Sequence, residues 1–441
     1  MPQALSTQLN RIAEMARRYP TFQFRTLAHL INTETMGKAF RSLRKNAAAG
    51  VDGVTAEDYG KDLNNNLTNL HERMKQGRYR AQPLRRVYIE KEDGKQRPLS
   101  IPALEDKIAQ KAVTSILEQI YEADFLPCSF GYRPGRGAHD ALGAIQKHIV
   151  FGGVNYVLDA DIKNYFGTIV RKELMKMLQR RVTDKDLLQL IGKWINCGVI
   201  DDGQLLMDED GVYQGSVISP ILANVYLHEV LDTWIERDVK PRMRGTIALF
   251  RYADDILLCF QHLEDAERVH DVLIKRLARF GLELSPEKTK LIEFGPKALF
   301  QAERLGKGTE TFNFLGLTHV CSRTRKGKFT VKVRTMSKRL GRALKRVGAW
   351  CKHNRHWSVK DQWKHLCLVL RGHYNYYGRI SNFRALDKFY CGVRRLWHKW
   401  LSRRHRGNPM PWATYVSLLK KYPLLIPYIT EKWSASPANS Q

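Results

Sequence analysis

The stretch ALFRYADDILLCF, residues 248–260, decides how this chain is read. Two adjacent carboxylates, Asp254 and Asp255, sit between two apolar, β-rich runs. The pattern predicts two strands around a tight turn, with both acids at its tip. Buried or half-buried acids are costly unless something offsets their charge. A second apolar strand, VNYVLDADIKNYF (154–166), also ends in acids, Asp159 and Asp161. Bringing that end beside the hairpin tip would crowd carboxylates that raise one another's pKa. A divalent cation would relieve the conflict, and oxygen-only ligands favour Mg²⁺. Alternation puts Asp159 and Asp161 on one face, so these residues alone leave open which of the two binds metal.

Outward from these strands, the 441 residues are enough for two or three domains. An apolar fraction of 43% is that of a folded protein. No apolar run reaches the length of a membrane span, and the N-terminus lacks a signal core. The expected setting is the cytoplasm of a bacterium or an organelle, in association with nucleic acid. Seven cysteines include no Cys-x-x-Cys pair, which argues against a zinc module or a disulfide framework.

Charge is the strongest bulk signal. Lys and Arg number 73 against 44 acids, a net +29. From Arg323 to Arg406 the basic residues meet only two acids, Asp361 and Asp387. Such a surface suits a polyanion. Aromatics are interleaved with it, among them Tyr374, Tyr376 and Tyr377, which are candidates to stack on unpaired bases.

Strands and helices alternate through the middle of the chain, including LRRVYIEKEDGKQRPLSIP (84–102), a hairpin with an Asp-Gly turn. Residues 335–420 read as helical. The expected fold class is α+β followed by a helical bundle, with an aperiodic boundary near GPKALFQAERLGKGTET (295–311).

RYADDILL resembles the Tyr-x-Asp-Asp signature of reverse transcriptases. Other blocks follow in the order found in group II intron-encoded reverse transcriptase/maturases. They are NAAAGVDGVT (46–55), the basic hairpin within 79–110, SFGYRPGRGAHDAL (129–142), DADIKNYF (159–166), QGSVISPILANVYLHEVLD (214–232), LSPEKTK (284–290) and FNFLGL (312–317). LRGHYNYYGRISNF (370–383) and RRLWHKWLSRR (394–404) are similar to the thumb and maturase region. The resemblance covers about residues 30–430.

The resemblance implies a right-hand polymerase. Residues 1–45 would be a helical extension, 46–155 the fingers with part of the palm, 156–320 the palm, 321–430 an α-helical thumb/maturase region and 431–441 a tail. Asp161, Asp254 and Asp255 correspond to the catalytic carboxylates that hold two Mg²⁺ ions. Lys91 and Arg97 correspond to fingers residues that grip a dNTP triphosphate. Phe166 matches the gate against a ribose 2′-hydroxyl, Gln214 and Gly215 the loop beside the sugar, and Lys288 a proton donor to pyrophosphate. Arg371, Tyr374, Tyr377, Arg394 and Arg395 would bind RNA. Partners would be intron RNA, an RNA template with a DNA primer, and dNTPs, with a homodimer as one assembly option and no membrane.

Three departures from the family pattern cluster in two blocks. Tyr213-Gln214-Gly215-Ser216 stands where Pro-Gln-Gly-Gly is common, Gly167 where an acid is common, and Arg171 where His is common. They bear on fidelity or substrate preference. They also leave room for a polymerase recruited to DNA repair or host defence. An RNA-binding splicing factor with an inactive polymerase is the third reading, opposed by the intact acids.

Overall fold

The structure, a computed structural model, describes residues 2–90, 94, 96–207, 210–404 and 409–431. It is mixed α/β, with strands paired mainly antiparallel and many helices. The described strands are β1 (Leu84–Glu90), β2 (Gln96–Ile101), β3 (Tyr156–Asp161), β4 (Val199–Asp201), β5 (Gln204–Leu206), β6 (Ile247–Tyr252), β7 (Asp255–Phe260), β8 (Lys290–Glu293), β9 (Thr311–Phe314), β10 (Leu317–Arg323) and β11 (Phe329–Thr335).

The chain divides into two compact units, one of residues 1–141 and 158–291, the other of 142–157 and 292–441. This division follows packing and not chain order. The stretch expected to be an aperiodic linker is instead partly helical, Pro296–Arg304. Proline near its start explains why: a missing N–H costs nothing in the first turn.

In the first unit, helix Leu104–Tyr121 is the central buried element. Ile108, Ala109, Val113, Ile116, Leu117 and Ile120 are wholly buried. Burial extends to polar residues of the helix, of which Asp106, Lys107 and Gln110 each have a partner. Asp106 accepts from the Tyr79 hydroxyl and from Gln82 N–H, Lys107 Nζ donates to Ala48 O at 2.6 Å, and Gln110 accepts from Ser216. One four-stranded sheet has the order β2-β1-β4-β5. Its β1/β2 hairpin pairs Arg85 with Ile101 through Glu90 with Gln96. A second sheet has the order β6-β7-β3-β8. There β6 and β7 pair antiparallel, from Ile247 with Phe260 to Tyr252 with Asp255. The two-residue turn Ala253–Asp254 is the tight turn expected from the sequence.

In the second unit, β11-β10-β9 form a three-stranded antiparallel sheet. Residues 142–157 join this unit through hydrogen bonds: the Gln146 side chain donates from Nε2 to Val331 O at 2.9 Å, and Phe294 N–H donates to Asn155 O at 2.8 Å. Helices Ser337–His353, Val359–Tyr377, Phe383–Leu401 and Trp412–Lys421 pack around one core. Helical spacing selects the core residues. Leu366, Leu370 and Tyr374 lie four apart on one helix; Leu386, Phe389, Val393 and Trp397 form the facing stripe. Trp397 Nε1 donates to Gln362 Oε1 at 2.9 Å.

Tyr374 is therefore a correction. It was expected to stack on RNA, but it is fully buried and its hydroxyl donates to Leu425 O at 3.0 Å. Its place in the i, i+4 stripe draws it inward. Tyr377 and Arg394 are half-buried, whereas Arg371 and Arg395 are exposed. Among the described residues no helix is long and apolar enough to cross a membrane.

His319 on β10 is wholly buried and stacks flat on Phe312, centroids 4.5 Å apart. Burial, then the Arg379 charge, pushes its pKa down to about 3. The unfolded chain therefore binds the proton more readily between pH 3 and about 6.5. Stability from the neutral ring is complete above about pH 6.5 and is lost as pH falls towards 3. Replacing His319 with Phe should remove that loss. Denaturation at pH 7 and pH 5 should show a relative gain for the variant at pH 5 of about 2 kcal/mol.

Candidate active site

The hairpin tip is fixed from below by one residue. Arg251, immediately before Tyr252, is completely buried. Its guanidinium donates to Asp232 Oδ1 at 2.7 Å and Oδ2 at 2.6 Å, to Asn224 Oδ1 at 2.9 Å, to Ala253 O at 3.1 Å and to Ser129 Oγ at 2.8 Å. The planar fork matches the carboxylate, which offsets the burial of both charges. Asp232 lies in a π turn, where Thr233 N–H donates to His228 O. His228, beside that pair, is driven down to about pKa 4, chiefly by burial, and so remains neutral. Backbone contacts complete the anchor: Phe130 N–H donates to Arg251 O at 2.9 Å and Arg251 N–H to Cys128 O at 2.8 Å. Gly131 then passes so close to the turn that a Cβ there would stand 2.3 Å from Ala253 N. Ala253 itself has φ 57°, a left-handed conformation that L-residues other than Asn and Asp rarely adopt.

Strand order sets β7, which starts at Asp255, next to β3, which ends at Asp161. Beyond β3 the chain is tied to the LSPEKTK segment: Ser285 N–H donates to Asp161 O at 2.8 Å, and Lys288 Nζ reaches Asp161 Oδ2 at 2.8 Å. Electrostatics register the crowding of acids. Burial, then the Asp161 charge, raises the Asp254 pKa, against the pull of Arg97 and Lys288. Asp159 is pushed up to about 7, by burial first and then by Asp255 and Asp161.

These side chains do not converge on one point. Among the described residues no group of three His, Cys, Asp or Glu side chains is arranged to hold a metal ion. Asp161 is engaged with the Lys288 ammonium instead. In kind, however, the donors suit a hard cation: they are all carboxylate oxygens, mutually repelling.

A cavity of about 400 Å³ is lined by residues that include Ser100, Asn164, Phe166, Tyr213 and Gln214. Gln214 O accepts from Ser100 N–H at 2.7 Å. Gly215 has φ 108°, and a Cβ there would lie 2.8 Å from Ser100 O. Glycine is thus required by both conformation and space. Gln110 anchors the same loop, accepting from Ser216 Oγ at 2.8 Å and Val217 N–H at 3.0 Å. Arg97 is exposed on β2. Lys91 lies outside the described residues.

Two contributors were not legible as site residues. Arg251 was read only as part of an apolar hairpin, though a charged residue inside an otherwise apolar strand was a signal. Gln110 gave none, because its partner loop is about a hundred residues away in the chain.

Residues 89–319 match the family described as reverse transcriptase (RNA-dependent DNA polymerase). The chain belongs to the reverse transcriptase family. Its relatives include proteins named as intron-encoded protein and intron maturase. It is similar to protein YkfC of Escherichia coli strain K12, 32% identical over 335 residues, which are 68% of this chain and 88% of that protein. It is also similar to the group II intron-encoded protein LtrA of Lactococcus lactis subsp. cremoris, 35% identical over 210 residues, 47% of this chain and 34% of that protein. The alignment with nuclear intron maturase 2, mitochondrial, of Arabidopsis thaliana is 27% identical over 180 residues, 32% of this chain and 24% of that protein. This reverse transcriptase thus aligns with most of YkfC but with about a third or less of these two intron-related proteins.

Removing Arg251 from the reverse transcriptase would leave Asp232 buried and unpaired. Arg251→Met should lower stability by about 3–5 kcal/mol, read from denaturant midpoints. Adding Asp232→Leu to it should recover most of that loss.

Proposed function

We propose that this reverse transcriptase copies RNA into DNA at the site formed by Asp161, Asp254 and Asp255. The reading rests on one observation: the hairpin tip bearing Asp254 and Asp255 belongs to the strand adjacent to the one ending at Asp161. In this reading the sheet of β1, β2, β4 and β5 serves as fingers, the sheet of β3 and β6–β8 as palm, and the helices from Ser337 to Lys421 as thumb and maturase region.

Reverse transcriptases use divalent metal ions, and here Asp161, Asp254 and Asp255 would hold two Mg²⁺. When bound, the ions supply activation of the primer 3′-hydroxyl and neutralisation of charge on the leaving pyrophosphate. The protein's share is positioning and electrostatics. Arg97, and Lys91, which follows β1 in the sequence, grip the triphosphate of an incoming dNTP. Phe166 forms the wall facing the sugar 2′ position, with Gln214 and the close-packed Gly215 beside it. Lys288, already hydrogen-bonded to Asp161, is placed to give a proton to pyrophosphate once it is freed from that carboxylate.

Nucleic acids are the partners. The basic residues of the second unit suit phosphate contact with a structured RNA, including exposed Arg371 and Arg395. Relatives named as intron-encoded protein and intron maturase support a second role, binding an intron RNA and stabilising its spliceable fold.

Primer extension on poly(rA)/oligo(dT) with Mg²⁺ tests the first role. Asp254→Ala and Asp255→Ala should each lower synthesis more than about 100-fold, with RNA affinity close to that of the wild type. Near-normal synthesis by either would refute the assignment. Phe166→Ala should increase ribonucleotide incorporation; unchanged sugar discrimination would refute the gate role.

A further inference from the structure

The cavity beside Phe166 adjoins three positions at which this sequence leaves its family's pattern: Gly167, Arg171 and Tyr213. In the structure they form one packed cluster. The strap of residues 210–214 runs along the backbone that follows Phe166. Val212 N–H donates to Phe166 O at 2.7 Å, and Gly211 N–H to Ile169 O at 2.8 Å. The approach is close: a Cβ on Gly211 would stand 2.8 Å from Gly167 O, and Gly211 has φ 92°. A Cβ on Gly167 would fall 2.4 Å from Asn164 Nδ2.

Arg171 holds this contact without being among the residues that line the cavity. It is 9% exposed. Its Nε donates to Gly211 O at 2.9 Å, Nη1 to Asn196 Oδ1 at 3.1 Å and Nη2 to the Tyr213 hydroxyl at 3.4 Å. The guanidinium carbon lies 5.6 Å from the centroid of the Tyr213 ring. Its backbone N–H donates to Asp210 Oδ1 at 3.2 Å. One planar fork thus binds the strap at Gly211 and Tyr213 and ties it to Asn196. An imidazole has too few donors for three acceptors, and an ammonium presents its three from a single atom, without the reach of the guanidinium's three separate nitrogens.

We infer that Arg171 is a positioning residue that sets the spacing between the strap and Phe166, and through it the dNTP affinity and the sugar discrimination of the enzyme. The inference rests on reading the cavity as the nucleotide-sugar site. Its mechanism is direct. Phe166 and Gly167 form one wall, and Val212, Tyr213 and Gln214 another. Loss of the guanidinium leaves a buried carbonyl, an amide and a hydroxyl without that donor. The strap then relaxes, and the walls part.

The test compares dTTP with UTP on poly(rA)/oligo(dT), for wild type, Arg171→Ala, Arg171→Lys and Tyr213→Phe. Arg171→Ala should raise KM for dTTP about tenfold and narrow the dTTP/UTP preference about tenfold, with a smaller change in kcat. Arg171→Lys should behave like Arg171→Ala, because the fork is lost although the charge is kept. Tyr213→Phe keeps the ring under the guanidinium but removes one of its three acceptors, and should shift both measures in the same direction as Arg171→Ala by a smaller factor. If Arg171→Ala does not fold, Tyr213→Leu carries the same expectation. A folded Arg171→Ala with unchanged KM and preference overturns the inference. So does a fall in kcat alone with discrimination intact, the mark of a merely structural role. A wild-type protein that incorporates neither nucleotide overturns the reading of the cavity itself, and this inference with it.

Discussion

The buried pair of Arg251 and Asp232 is the constraint on which the hairpin bearing Asp254 and Asp255 depends. Two charges removed from water are expensive, and their attraction offsets that only with near-ideal geometry and no unsatisfied atoms around them. Here the carboxylate is met bidentately, and the remaining donors reach Asn224, Ser129 and the carbonyl of Ala253. The last contact ties the turn itself. The tip that presents Asp254 is therefore fastened to the helical segment carrying Asn224 and Asp232 and to the 128–131 segment. Replacement of the pair by apolar residues could pack equally well, but it would not specify the strained turn at Ala253.

The second constraint is the repulsion among acids at the ends of β3 and β7. Burial and like charge raise Asp254 and Asp159, while Lys288 neutralises Asp161 from the neighbouring segment. A lysine there keeps the carboxylates tolerable in the absence of another cation. In the proposed reading, a metal held by Asp161 would compete with Lys288 for the same carboxylate. Beside it, the 210–216 segment depends on glycines at 211 and 215 and on side chains at 110 and 171, and of these only Arg171 is near Phe166 in the chain.

In the second unit, hydrophobic periodicity and charge divide the work. Aromatics in the helical stripe, including Tyr374, Phe389 and Trp397, fill the core. Basic residues such as Arg371 and Arg395 remain exposed between the stripes. Long arginine and lysine side chains on a rigid helical frame present charge at fixed spacing, which suits recognition of a phosphate backbone by shape.

Much of this was legible in the linear text. Apolar, β-rich runs flanking Asp254 and Asp255 predicted two strands around a tight turn with the acids at its tip. The acid-ended strand, the basic C-terminal third and the helical spacing were equally local signals. Tyr374 was misplaced because a tyrosine can stack on a base or fill a core, and only the packing of its helix settles which. The hydrogen-bond partners of Gln110, Arg171, Asp232 and Arg251 were not legible for another reason. Hydrogen bonds between residues tens to a hundred positions apart depend on three-dimensional register, which composition and periodicity do not encode. The sequence by itself determined which residues carry charge, which strands bend back on themselves and where the acids fall. Only the tertiary structure decided which buried donors hold those acids and the 210–214 strap in place, because such bonds form only after distant segments have packed.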